Sequence, residues 1–180
     1  MSGAVPAGDP HWYESLPANP FRSKHLTRRI PQTVLDAGCG SGKGAVELAR
    51  LGFDVTLCDL TDGGLMDEAK ALPFFSQCLW DPIAARPDRT FDWVYCCDVL
   101  EHIPPTFTML VVSRLLEASR KGLFLSIALV EDHFGVWAGR PLHLSMQNFV
   151  AWREQLGALG RVKESRDLLN TGLYLVEPRC

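Results

Sequence analysis

The chain has 180 residues, 47% of them hydrophobic and 22% charged. That composition suits a single globular domain and excludes bulk disorder. A formal charge of −3 gives no global field for nucleic acid or an anionic membrane, and no apolar run approaches the ~18 residues of a membrane span.

Residues 1–20 carry Pro6, Pro10, Pro17 and Pro20, which predict an irregular arm, leaving 21–180 as the folded domain. The N-terminus shows no basic segment followed by a long apolar stretch, so a cytoplasmic setting is expected. Six cysteines without a CxxC pair are expected as reduced thiols. FRSKHLTRRI (21–30) predicts a short helix, and its basic residues read as a solvated face.

TVLDAGCG then predicts a buried strand running into a tight turn. KGAVELARL (43–51) predicts a helix, with Ser41 as N-cap and Gly52 just past its end. FDVTLCD (53–59) predicts a second strand, GGLMDEAKAL a helix over 64–72, FFSQCLW (74–80) a third strand and DWVYCCDV (92–99) a fourth. A long helix is expected over 105–120, a fifth strand over 122–129, a helix over 146–160, and two closing strands in RVKESRD and GLYLVE. The alternation predicts an α/β fold: a doubly wound, mostly parallel sheet of about seven strands with helices on both faces. Ligands of such sheets bind beyond the carboxyl ends of the strands.

The strand, glycine turn and helix at Asp36-Ala-Gly38-Cys-Gly40-Ser-Gly42-Lys43-Gly44 form a device for close backbone approach to a ligand. As a P-loop it misses twice, with Ala37 at the first glycine and Gly44 at the Ser/Thr position. As a dinucleotide fingerprint counted from Gly40 it leaves Asp36 and Gly38 unexplained, and this nicotinamide-dependent oxidoreductase reading stays as an alternative.

VLDAGCGSG, the CDL after the second strand, and FDWVYCCDVLEHIPP together resemble the class I, Rossmann-like S-adenosylmethionine-dependent methyltransferases. Asp36, Gly38, Gly40 and Gly42 match that family's first motif, and Asp59 follows Asp36 by 23 residues. The resemblance implies strand order 3-2-1-4-5-7-6 with the last strand antiparallel. It implies S-adenosylmethionine as cofactor, with the glycine turn at its methionine end, Asp36 facing the ammonium and Asp59 accepting from both ribose hydroxyls. Leu60, Leu79 and Trp80 are the expected adenine contacts. Trp80 and then Asp81 stand where relatives carry an adenine-binding aspartate, which leaves that role open between them. Cys97 and Asp98, at the end of the fourth strand, are expected beside the methionine amine.

Methyl transfer needs mainly orientation and exclusion of water, and a base only where the acceptor starts protonated. His102, His143 and Tyr13 are the expected catalytic candidates, with Glu101 a further candidate base. EDHFGVWAGRPLH (131–143) is the expected acceptor-facing segment. Cys39, Cys58, Cys78 and Cys97 fall near strand ends but lack the short-spaced pairing of zinc ligands, so no metal site is expected. A small-molecule acceptor is expected, with a protein partner or homodimer open. A non-catalytic, partner-dependent cofactor-binding module is the second alternative.

Overall fold

The computed structural model describes residues 31–81, 91–132, 135 and 139–179. The expected 21–30 helix, the arm and Tyr13 lie outside the described residues, as do Phe134 and Trp137 of the acceptor-facing segment. Pro31–Cys180 is one compact unit.

Seven strands form one sheet in the order β3-β2-β1-β4-β5-β7-β6. They are β1 Thr33–Ala37, β2 Asp54–Asp59, β3 Phe74–Ser76, β4 Phe91–Cys97, β5 Ser119–Ala128, β6 Arg161–Asp167 and β7 Thr171–Glu177. The first five pair in parallel, and β7 runs antiparallel to both its neighbours. β1 sits between β2 and β4, so the chain reverses its winding direction beside Asp36.

Alternation along β1 points Leu35 and Ala37 to one face and Val34 and Asp36 to the other, and all four are buried. Leu35 and Ala37 join a core with Val111, Val112 and Leu115 of α2 (Pro105–Glu117) and Trp152 and Leu156 of α3 (Phe149–Leu159). On the opposite face α1 (Lys43–Arg50) buries Ala45, Val46 and Leu48. Two covered faces explain why the central strands read as near-continuous apolar runs.

Several boundaries differ from expectation for visible reasons. Ser41 does not cap α1: Gly42, in the left-handed region at φ 73°, holds that position without a side-chain bond. Gly52 does close the helix, donating to the Ala49 carbonyl at 2.9 Å while Phe53 N–H reaches Leu48 O at 3.2 Å. Over 64–72 only a 3₁₀ turn forms, at Ala69–Ala71. Gly63 and Gly64 disfavour a helix there, and Met66 N–H is tied to Ser41 O at 3.0 Å, folding the segment over the glycine turn. β3 stops at Ser76 because its partner β2 ends at Asp59. β5 begins at Ser119, three residues early, because Ser119 already pairs with Phe91.

Where α3 meets β6, Gly160 lies so close to β7 that an added Cβ would stand 2.5 Å from Val176 Cγ1 and 2.8 Å from the Glu177 carbonyl oxygen. Its extended backbone suits any residue, so the constraint is purely steric. Gly160→Ala should therefore destabilise the fold by about 1–3 kcal/mol, read from urea unfolding. A midpoint equal to wild type would show that β7 yields there.

Candidate functional site

The carboxyl ends of β1, β2 and β4 meet at one edge, since Ala37 pairs with Cys58 and Asp36 with Tyr95. Gly38 and Cys39 both donate to Cys58 O, at 2.8 and 3.1 Å, which turns the chain sharply off β1. Gly38, Gly40 and Gly42 all have positive φ (76°, 52° and 73°). They serve different ends. A Cβ on Gly38 would collide with Val99 and one on Gly42 with Ala69, each at 2.5 Å, whereas nothing lies within 4 Å of one on Gly40. The outer glycines permit packing. The middle one faces open space, where a ligand can approach the backbone.

Three carboxylates surround this turn. Asp59 is pinned by Gly40 N–H on one oxygen (2.8 Å) and Leu60 N–H on the other (2.7 Å). Its remaining lone pairs can still accept from hydroxyl groups. Asp36 is buried beneath, and burial pushes its carboxyl up to about 7, with the Ala45 backbone N–H acting against this and the Asp59 charge adding to it. Asp98, after β4, adopts φ 55° and accepts from Ser126 Oγ at 3.3 Å. Desolvation raises its carboxyl as well, against the lowering effects of Ser126, His102 and His143. Such an edge favours a ligand carrying positive charge.

The expected adenine contacts separate. Leu60 is exposed, and Trp80 stacks on Phe107 of α2 at 5.1 Å between ring centres. Leu79 instead belongs to the hydrophobic core, and Asp81 is exposed in the turn that follows. Phe107 did not figure among the sequence candidates; its place in the first turn of α2 carries no motif. Burial drives the Cys97 thiol well up, as it does Cys96, and Cys39 and Cys58 rise to about 12. These thiols stay protonated and are poor nucleophiles.

The other candidates converge beyond β4 and β5. His102 and His143, 41 positions apart in sequence, meet edge to face at 4.9 Å between ring centres. Nδ1 of His102 lies 3.0 Å from Leu142 O, and Nδ1 of His143 lies 2.7 Å from Val130 O. Glu101 completes the group: one nitrogen from each imidazole and one of its carboxylate oxygens lie within 4.8 Å of one another. Sequence spacing gave no sign of this trio, whose donor set suits a shared proton or a divalent cation. Beside it a cavity of about 490 Å³ is lined by Glu131, Asp132, Arg140, His143 and Met146, among others.

A family model described as a methyltransferase domain matches residues 13–156. The chain belongs to that family. Among curated relatives, the ubiquinone biosynthesis O-methyltransferase of Xanthomonas oryzae pv. oryzae (strain PXO99A) is 34% identical over 119 residues, which is 60% of this chain and 49% of the relative. The chain thus spans about half the length of such relatives. Among solved structures, the magnesium protoporphyrin IX methyltransferase of Synechocystis PCC 6803, with bound S-adenosylhomocysteine, superposes with TM-score 0.61 at 22% identity, covering 82% of this chain and 74% of that one. A Burkholderia thailandensis 1,6-didemethyltoxoflavin-N1-methyltransferase gives TM-score 0.64 at 18% identity, with 83% and 72% covered. These superpositions agree with the sheet order of this methyltransferase domain.

The raised Asp36 carboxyl has a thermodynamic signature. Its acid form is favoured in the fold, so the folded state holds more protons than the unfolded one between the ordinary aspartate range and about 7. Stability of the unliganded domain should fall as pH rises through that window, by up to about 4 kcal/mol for a shift of this size. Asp36→Asn should flatten the dependence. Thermal unfolding from pH 4.5 to 8 checks this, and parallel curves for wild type and variant would refute the assignment.

Proposed function

We propose that the domain binds S-adenosylmethionine at the carboxyl ends of β1, β2 and β4 and transfers its methyl group to a hydroxyl of a small-molecule acceptor held beyond β4 and β5. One observation carries the reading: three carboxylates, Asp36, Asp59 and Asp98, ring a glycine turn that is open only at Gly40. When bound, the cofactor supplies a methyl carbon on a positively charged sulfur. Its ammonium and sulfonium charges suit an acidic edge, whereas the pyrophosphate of a nicotinamide dinucleotide would be repelled. The names of the curated relatives, O-methyltransferases of ubiquinone biosynthesis, support a hydroxyl acceptor. The bound S-adenosylhomocysteine of the Synechocystis enzyme supports the cofactor.

The residues divide the work. Gly40 leaves room for the cofactor's methionine end, Asp98 and, once an incoming cation favours its ionised form, Asp36 supply negative charge there, and Asp59 receives the ribose hydroxyls. Exposed Leu60 and Trp80 offer apolar surface to the adenine, with Asp81 near its amino group and Cys97 contributing backbone. His102 or His143 accepts the acceptor's proton at Nε2, the nitrogen left free by the Nδ1 contacts. Tyr13 stays a third candidate base only because the N-terminal arm often folds over the site in relatives. Residues 21–180 form the proposed catalytic domain and 1–20 its arm. The five described cysteines are free thiols, which suits the cytoplasm. Among the described residues no helix is long and apolar enough to cross a membrane.

Calorimetry with S-adenosylmethionine and S-adenosylhomocysteine, with NADH and ATP as controls, tests the cofactor. Micromolar binding of the first two is expected. Gly40→Val should abolish it, because a branched side chain would both fill the open space and strain a backbone at φ 52°. Asp59→Ala should weaken it ~10-fold or more, from roughly 1.5–3 kcal/mol of charged hydrogen bonding. Unchanged affinity in both variants would move the site elsewhere. Binding of NADH alone would favour an oxidoreductase.

Methyl transfer is then screened against small phenols, catechols and other hydroxylated compounds. His102→Ala should lower turnover on a productive acceptor by about 10²-fold while leaving S-adenosylhomocysteine affinity within about twofold. Unchanged turnover would make His102 structural. Cofactor binding with no acceptor methylated would favour a partner-dependent module.

A further inference from the structure

Glu101 is wholly buried, and the Ala128 N–H donates to its Oε1 at 3.0 Å. Its Oε2 is buried without a hydrogen-bond partner. Its backbone carbonyl accepts from Leu144 N–H at 2.6 Å and Ser145 N–H at 3.0 Å. One residue therefore ties together the turn after β4, the end of β5 and the 142–145 loop. These three segments carry His102, the Val130 carbonyl that holds His143, and His143 itself. Ser145 Oγ strengthens the same junction by donating to Ile103 O at 2.6 Å.

A carboxylate is a costly choice for this place. Burying one with an oxygen unpaired is expensive, and an apolar side chain of similar size would fill the space at less cost. Desolvation accordingly raises the Glu101 carboxyl, against the lowering effects of its backbone hydrogen bonds and of His102. Packing alone does not account for the residue. What distinguishes its surroundings is the pair of imidazoles within 4.8 Å.

We propose that Glu101 is a positioning residue for proton removal from the acceptor: it fixes the His102 and His143 rings side by side and neutralises the positive charge that arrives on them. This rests on the reading that one of these imidazoles takes the acceptor's proton. A carbonyl oxygen only accepts, so in each neutral ring Nδ1 carries the hydrogen and Nε2 the lone pair. In the step, the acceptor O–H bond breaks and its proton passes to that Nε2. The oxygen's electron pair forms the new bond to the methyl carbon, and the C–S pair leaves with the sulfur. The imidazolium formed beside the carboxylate returns its proton to water after product release.

The test compares Glu101→Gln and Glu101→Leu with wild type in the full chain. Glutamine keeps the acceptor for Ala128 N–H but not the charge, and leucine keeps neither. ¹⁵N imidazole spectra should show Nδ1–H tautomers and mutual ring contacts for His102 and His143 in wild type and Glu101→Gln, and should lose the contacts in Glu101→Leu. S-adenosylhomocysteine affinity should stay within about twofold in all three, which reports on folding and on the cofactor side. With catechol as probe acceptor, Glu101→Gln should lower kcat about 10-fold at unchanged KM, and Glu101→Leu about 100-fold or more.

Ring contacts that survive in Glu101→Leu would overturn the inference, with or without turnover. Wild-type kcat in Glu101→Gln would also overturn it, because a merely structural carboxylate does not need its charge. So would imidazole signals that take up their wild-type pattern only when Mg²⁺ is added, since the trio would then be a cation site. If wild type does not methylate catechol, that acceptor reading fails separately and the ring contacts still decide the positioning.

Discussion

The parallel pairing of β1 between β2 and β4 is the constraint on which the rest of the molecule depends. Parallel neighbours all end at the same edge of the sheet. Asp36, Asp59 and Asp98, from segments far apart in sequence, are therefore delivered to one place without any side-chain contact having to bring them together. The two buried faces provide the stability, with Leu35 and Ala37 packed against α2 and α3, and α1 against the other face. The proposed cofactor site lies at the edge the strands leave open, where backbone groups no longer pair with a neighbour.

That edge holds more negative charge than an unliganded fold would favour. Asp36 is buried and lies within the field of Asp59, and Asp98 sits in a strained backbone region at φ 55°. The unfavourable charge would be relieved by one kind of ligand, a cation placed above the glycine turn. Binding energy would then come partly from removing carboxylate repulsion already present in the fold, so the contacts visible without the ligand understate the affinity. The same reasoning weighs against anionic dinucleotides, which would add to the repulsion.

The residues proposed for the cofactor side were legible in sequence because they are local. Asp36 to Gly42 is one continuous strand, turn and helix start, and Asp59 ends the next strand. The sheet order followed from the same motifs. Finer features were hidden where tertiary pairing outweighed local propensity. The 64–72 segment has helical composition, yet it is held over the glycine turn by Met66 N–H on Ser41 O. Leu79 and Trp80 are adjacent apolar residues, and only packing shows that one enters the core while the other stacks on Phe107. Ser41 had the chemistry of a cap, but Gly42 in the left-handed region holds that position without a side-chain bond.

The acceptor side was less legible for a different reason. His102 and His143 stood out singly, but their meeting depends on a loop returning 41 positions later to the turn after β4. Glu101 was recognisable only as a possible base, since no pattern in VLEHI indicates that its side chain points inward while the next one points out. Glu101 is the group proposed to position the other two, because its side chain bonds to the end of β5 and its backbone carbonyl to the 142–145 loop. The proposed cofactor side is held by a strand-turn-helix unit, whereas the proposed acceptor side is joined from two strand ends and the 142–145 loop through one buried carboxylate. Changes in the 131–145 loop can therefore alter which acceptor is met without disturbing the glycine turn, provided that Glu101 keeps its bonds to Ala128, Leu144 and Ser145.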